Sequence, residues 1–218
     1  MATRIREPLT RDRVIEAALR VMDEEGLEAV TMRRVAREVG VEAMSLYHHV
    51  EDKEDLLDGI CERVMAGFEF PEPTGDWFED CRRAARAWRS ILKQHPNVMR
   101  LFAQQRGPVR SVESLRPMEL ALGLLRQGGL SDRDTARAFH AFGGYIQGSV
   151  MMELGSVVGI DREHAKVHGE LAETLPEGFA TLRAVSPHFA ECDPDEQFEF
   201  GLDLLIRGLL ARAGRRPG

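Results

Sequence analysis

Several things are scarce in this chain, and each scarcity closes a door. Only three cysteines occur in 218 residues, Cys61, Cys81 and Cys192. They are far apart and form no Cys-x-x-Cys pair, so no thiolate metal cluster is expected. A reduced intracellular compartment is the simplest setting. Aromatics make up only 6% of residues, and β-branched runs are few, which disfavours sheet. No apolar run approaches the length of a membrane span, and the opening MATRIREPLT has no apolar core of a signal peptide. A cytoplasmic protein with no membrane partner is expected. Positive charge is also in deficit, with a net charge of −7. That is the reverse of a whole-surface nucleic-acid binder, so any DNA contact has to come from a local patch.

What is abundant points to helix. Ala, Leu, Arg and Glu are plentiful, with 43% hydrophobic and 30% charged residues, an ordinary balance for a chain with a real core. Nearly every segment carries a helix start signal. Thr10 precedes Val14, Ala17, Ala18, Val21 and Met22 at helical spacing, and Gly26 closes that run. A second helix runs from Thr31 to Gly40, with Met32, Val35, Ala36 and Val39 inward and Arg33, Arg34 and Arg37 outward. VEAMSLYHHV reads as a short third helix. Asp52 with Asp55 three residues on is a weak capping box for a fourth, over about 52–69. FPEPTG then interrupts the pattern. Asp76 with Glu79 and Ser131 with Asp134 are further boxes, and Asp193–Pro194 opens the last helix. Residues 156 to 178 read as irregular. The expected fold is all-α with roughly nine or ten helices. A three-helix head would span residues 1–56, with the fourth helix connecting to a second domain over 70–218.

The head holds the pattern richest in chemistry. Two short helices joined by a tight turn containing glycine are the helix-turn-helix signature. Here the turn is Val39–Gly40–Val41, and Gly40 suits a left-handed conformation. Leu46 and Val50 can pack inward from the third helix. Ala43, Met44, Ser45, Tyr47, His48 and His49 remain outward. Tyr47, His48 and His49 in succession could suggest a metal or catalytic site. Adjacent helical residues, however, diverge by about 100°, and no nearby cysteine completes a ligand set. A helix with small, aromatic and imidazole groups on its outer face can lie in a major groove.

At this point GLEAVTMRRVAREVGVEAMSLYHHVEDKEDLL resembles the DNA-binding domain of the tetracycline-repressor (TetR) family. The likeness runs through Gly26, Thr31, Arg33, Ala36, Gly40, Val41, Leu46, Tyr47, Val50, Lys53 and Leu56. FEFGLDLLIRGL and GGYIQGSVMMELG resemble the C-terminal domain of the tetracycline-resistance subclass. The resemblance implies a homodimer that binds double-stranded operator DNA and answers to a small-molecule effector. It implies that Thr31 and Arg33, with Met32 between them, touch DNA at the opening of the second helix. Ala43, Met44 and Ser45 would face base edges, and Tyr47, His49 and Lys53 would clamp phosphates, with His48 beside them. Ala43 and Met44 replace the Gln and Pro of the repressor that names the family, so a different operator is expected. That repressor holds drug and metal through a His and a Glu of its eighth helix. The aligned positions here are Gly144 and Met152, so magnesium-tetracycline is a poor ligand for this chain.

Outside the head the reading is less specific. His140, Tyr145 and Gln147 lie in an apolar helix beside Phe139, Phe142 and Met151. They can bond to other helices or converge on a small molecule. Trp88, Phe102, Gln104 and Gln105 are expected to face the same cavity. Gly144 and Gly148 on one helix, and Gly201, Leu202, Leu205, Ile206 and Leu209 on the last, fit either an internal core or a four-helix dimer interface. His164 and His168, four apart beside Glu163 and Glu170, sit in a polar region where solvation is the simpler reading. No metal, cofactor or catalytic group is assigned. The favoured function is a ligand-responsive repressor. An all-helical enzyme and an activator with the same fold are the alternatives.

Overall fold

The computed structural model describes residues 8–104, 112–154, 176–189 and 193–213. Among the described residues there are ten α-helices, two short 3-10 turns and no strand. The chain divides into two units. Unit 1 is Met1–Glu69 with Ile91–Glu119, and unit 2 is Phe70–Ser90 with Leu120–Gly218. One boundary falls at the expected cut near residue 70; the division differs in grouping Ile91–Glu119 with the head.

Unit 1 begins with α1 (Arg11–Glu25), whose Thr10 side chain accepts a hydrogen bond from the Arg13 N–H. Val14, Ala17, Ala18, Val21 and Met22 of α1 are wholly buried. Helix α2 (Met32–Val39) starts at Thr31, which accepts from the Arg34 N–H, and stops at Gly40 in the left-handed region, φ 79° and ψ 39°. The Gly40 and Val41 N–H groups both donate to the Ala36 carbonyl, at 2.9 and 3.0 Å. This turn needs a residue without Cβ strain, and glycine meets that need. Helix α3 is only Ala43–Leu46, shorter than the expected run to Val50. The His49 and Val50 N–H groups both return to the Leu46 carbonyl, so Tyr47, His48 and His49 form a tight turn instead of a further helical turn.

Helix α4 (Lys53–Ala66) follows, capped by Asp52. A Cβ on its Gly59 would come within 2.6 Å of the Ile15 side chain, so glycine permits the close approach of α4 to α1. Asp55 is buried, and Arg11 grips its carboxylate with two nitrogens at 2.8 and 2.6 Å. Arg11 also donates to the His49 carbonyl at 3.1 Å. Asp55 further accepts from the Glu51 N–H at 2.8 Å. The expected cap is present, with Asp52 accepting from the Asp55 N–H at 2.8 Å, while the return bond to Asp55 comes from Glu51, one residue earlier. Helix α6 (Val98–Gln104) completes unit 1, with Val98 and Leu101 buried. The Asn97 amide donates to the Met22 carbonyl at 3.0 Å. The His95 ring nitrogen Nδ1 lies 2.8 Å from Asp23.

Unit 2 is built on α5 (Trp77–Gln94), α7 (Val112–Gln127), α8 (Asp132–Glu153), α9 (Ala180–Phe189) and α10 (Pro194–Arg212). Both α5 and α7 begin in one unit and end in the other. The expected caps are present: Asp76 accepts from the Phe78 N–H, Ser131 from the Asp134 N–H, and Asp193 from the Asp195 and Glu196 N–H groups. A row of arginines on α5 binds acids on α10 and α8. Arg82 pairs with Asp203, Arg86 takes Glu199 with two nitrogens, and Arg89 reaches Asp195 at 2.5 Å and Glu153 at 2.8 Å. Arg89 is buried, and its guanidinium lies 4.6 Å from the centre of the Phe198 ring. Phe198 stacks in turn on Tyr145, so the buried guanidinium of Arg89 is held by two acids and an aromatic face, although its Nε and that of Arg82 find no hydrogen-bond partner.

Much of the irregular stretch expected at 156–178, including His164 and His168, lies outside the described residues. Its last residues, 177–178, open a 3-10 turn at Glu177–Phe179 that leads into α9.

Replacing Asp55 by Asn should destabilise unit 1 by about 2–3 kcal/mol, since a buried charge pair is broken while Arg11 keeps some access to water. Both tryptophans, Trp77 and Trp88, are in unit 2, so the measurement is denaturant unfolding followed by far-ultraviolet circular dichroism. A midpoint equal to that of the unmodified protein would refute the role given to the pair.

Candidate nucleic-acid interface

The local geometry leaves one face of unit 1 uncommitted to the core. On α3 only Leu46 is buried, while Met44 is 72% exposed and Tyr47 48% exposed. His48 and Lys53 are exposed, and Ala43, Ser45 and His49 are half-buried. Thr31 and Arg33 are exposed at the start of α2, with Met32 half-buried between them. Thr31 already uses its oxygen as acceptor for the helix cap, at 3.2 Å from the Arg34 N–H. Its O–H proton is still free to donate, which suits a phosphate oxygen. Among the described residues Arg33 makes no ion pair, so its guanidinium is available for the same purpose.

Arg34 behaves differently from its neighbour. It bonds Glu25 at 2.8 and 2.5 Å and Glu38 at 2.9 Å. Those two acids push the Arg34 guanidinium pKa up. It is a brace between α2 and the end of α1, not a spare cation. Spacing alone places Arg33, Arg34 and Arg37 together, and only the partner acids separate them. His49 also has a double role: its carbonyl holds Arg11 while its ring stays half-buried beside Tyr47 and His48. The resulting surface is a short helix of small and apolar groups, flanked by Thr31 and Arg33 on one helix and Lys53 on another. Nothing in it resembles a reaction centre. Among the described residues no three or more metal-ligating side chains gather. Burial raises the Cys61 and Cys81 thiols to about 12, too high to supply a thiolate nucleophile.

This geometry coincides with two family patterns. Residues 14–60 match the one described as "Bacterial regulatory proteins, tetR family". Residues 70–213 match "Tetracyclin repressor-like, C-terminal domain". The chain belongs to the TetR family. It is a DNA-binding transcriptional regulator and not an enzyme.

Other TetR-family members are similar over nearly the whole length. The HTH-type transcriptional repressor DrrR1 of Streptomyces coeruleorubidus is 37% identical over 220 residues, covering 96% of this chain and 80% of that protein. The Escherichia coli tetracycline repressor protein class C is 28% identical, covering 91% and 89%. The crystal structure of Streptomyces coelicolor ActR in complex with actinorhodin superposes with a TM-score of 0.83, at 32% identity over 95% of this chain and 100% of that one.

The remaining candidate residues are scattered in character. In unit 2, Phe142 is buried, Trp88, Gln147 and Met151 are half-buried, and His140 is exposed. His140 is thus not the buried polar group that its apolar helix suggests, because it lies on the helix's outer side. Phe102, half-buried, belongs to unit 1; the Gln104 side chain and Gln105 lie outside the described residues. On α10, Leu202 and Ile206 are wholly buried within the single chain, which favours the internal-core reading of the two. Gly201 is likewise internal, since a Cβ there would collide with the Tyr145 ring. The residues that α10 does expose are Phe200, at 70%, and Leu204, at 57%. Neither stood out beside the glycines and leucines, because helical spacing does not say which apolar stripe the chain itself covers. Leu205 and Leu209 are half-buried and Gly208 exposed.

Tyr47→Ala should weaken binding to a specific operator and to random duplex DNA alike, by about tenfold or more, as loss of a hydrogen bond to a charged group predicts. Lys53→Ala should lower the salt-dependence slope by about one. Fluorescence anisotropy across a salt series measures both. Unchanged affinity in both variants would sink the phosphate assignments.

Proposed function

We propose that this chain is a repressor that binds a near-palindromic operator as a homodimer and lets go when a small, partly apolar molecule occupies unit 2. The observation carrying this reading is that both halves of the chain match one family of ligand-gated regulators while α3 presents an uncovered surface beside the Gly40 turn. Two copies related by a two-fold axis would set their α3 helices about 34–36 Å apart, one turn of the double helix. Thr31, Met32 and Arg33 meet one strand's edge. Ala43, Met44 and Ser45 meet base edges, and Tyr47, His48, His49 and Lys53 meet the backbone. A regulator of this kind acts in the cytoplasm, where its DNA is.

For the two-fold contact, α8 and α10 supply the favoured faces. A Cβ added at Gly144, Gly148 or Gly208 would meet nothing within 4 Å, so these positions open onto space that the chain does not fill itself. Phe200 and Leu204 stand exposed on α10. Leu205 and Leu209, half-buried, flank them. Burying such a face against its own copy is the usual route to a stable symmetric dimer.

For the effector, ActR has been solved with actinorhodin bound. In this chain Trp88, Gln147 and Met151, half-buried in unit 2, are the preferred contacts, with Phe142 behind them. The effector releases DNA only by favouring one of two conformers. A coupling of about 3 kcal/mol weakens operator binding roughly 150-fold.

Leu204→Glu should convert the dimer to monomer at low concentration and abolish tight operator binding, while leaving helix content unchanged. Sedimentation velocity and anisotropy together check it. A variant that stays dimeric would remove α10 from the interface. Native mass spectrometry of the purified protein should reveal a bound small molecule whose addition releases operator DNA. Release unaffected by Trp88→Ala and Met151→Ala together would remove those residues from the effector site.

A further inference from the structure

The base-reading segment has an unusual inventory. Between Gly40 and Lys53 the chain contains no Arg, Lys, Asn or Gln. Those four side chains make the bidentate hydrogen bonds by which guanine and adenine are told apart in the major groove. Helix α3 lacks that option entirely. Its base-facing groups are the methyl of Ala43, the thioether of Met44 and one hydroxyl, Ser45. Glu42, the residue before, is an acceptor that phosphates repel.

Exposure of a single methionine is ordinary and says nothing alone. Here the position says more. Met44 is the second residue of α3 and 72% exposed, while the packing of that helix rests on Leu46. Met44 therefore has no structural duty that explains it. Only one base shows an apolar group in the major groove: thymine, with its 5-methyl. An unbranched, polarisable side chain adapts well to such a group.

We propose that α3 reads its operator through thymine methyl groups, with Met44 as the specificity-determining residue and Ala43 allowing the helix to come close. The proposal deepens the DNA-binding reading above and rests on it. It predicts a T·A pair in each half-site, opposite Met44. Any guanine contact would then come from Arg33 on α2 and not from α3.

The test uses the full-length protein and a duplex selected by it from a random-sequence pool. Each half-site thymine is replaced in turn by deoxyuridine, which removes the methyl and keeps every hydrogen-bonding group. At one thymine per half-site, wild-type affinity should fall about fourfold for each methyl removed, the value of one buried methyl group. Met44→Ala should bind the thymine duplex more weakly and lose nothing more on the change to deoxyuridine. Because Met44 is exposed, this variant keeps its fold. Wild-type protein that binds thymine and deoxyuridine duplexes equally would overturn methyl reading while leaving operator binding intact. An equal deoxyuridine penalty in wild type and Met44→Ala would assign the reading to another residue and overturn the role of Met44. Failure to select any sequence would overturn the DNA-binding reading itself, and the proposal with it.

Discussion

Everything the head does depends on one buried carboxylate. Asp55 sits in the core side of α4 and is neutralised by Arg11 from the first turn of α1. The same guanidinium takes the carbonyl of His49, at the end of the turn that follows α3. One ion pair therefore ties together three places: the first turn of α1, the first turn of α4, and the end of the turn that follows α3. A charge in that position is tolerable only because both of its oxygens are engaged. Removing either partner leaves the other uncompensated. The short α3 has no capping side chain of its own and four residues are too few to hold a helix by local bonds. It is held from outside, by Leu46 in the core and by Arg11 behind His49.

The acidic net charge and the DNA surface are compatible for a related reason. Many arginines are already spent on internal acids: Arg34 on Glu25 and Glu38, Arg86 on Glu199, Arg89 on Asp195 and Glu153. The pairing with Arg86 holds the Glu199 carboxyl below its usual range. Charge that matters to DNA is confined to the few cations left without such partners. Net charge describes solubility and long-range fields; it does not describe a patch of two or three groups.

Local features were legible in the sequence, and long-range ones were not. The caps at Thr10, Thr31, Asp52, Ser131 and Asp193, and the left-handed Gly40, were legible because they are local: a side-chain oxygen or a missing Cβ acts within three or four residues. The helix-turn-helix face followed from them. The extent of α3 was not legible, because the turn that replaces its expected second half is held at His49 by Arg11, thirty-eight residues away. The division of duties among Arg33, Arg34 and Arg37 was hidden for the same reason. On α10, spacing identified an apolar helix but left Leu202 and Ile206 open between core and partner, whereas the folded chain buries them by itself. A helix that is apolar on more than one side gives no internal sign of which side faces home.

The bonds from Asn97 to the Met22 carbonyl and from His95 to Asp23 carry a consequence for anyone recombining such regulators. They fasten the corner before α6 to the far end of α1, so the head is not a contiguous stretch of sequence. A hybrid joined near residue 70 would bring together a head from one parent and a corner from the other, across these two bonds. The natural module to transplant is the head together with residues 91–104. A head moved without them would carry its DNA preference but leave behind the contact through which it is held to account.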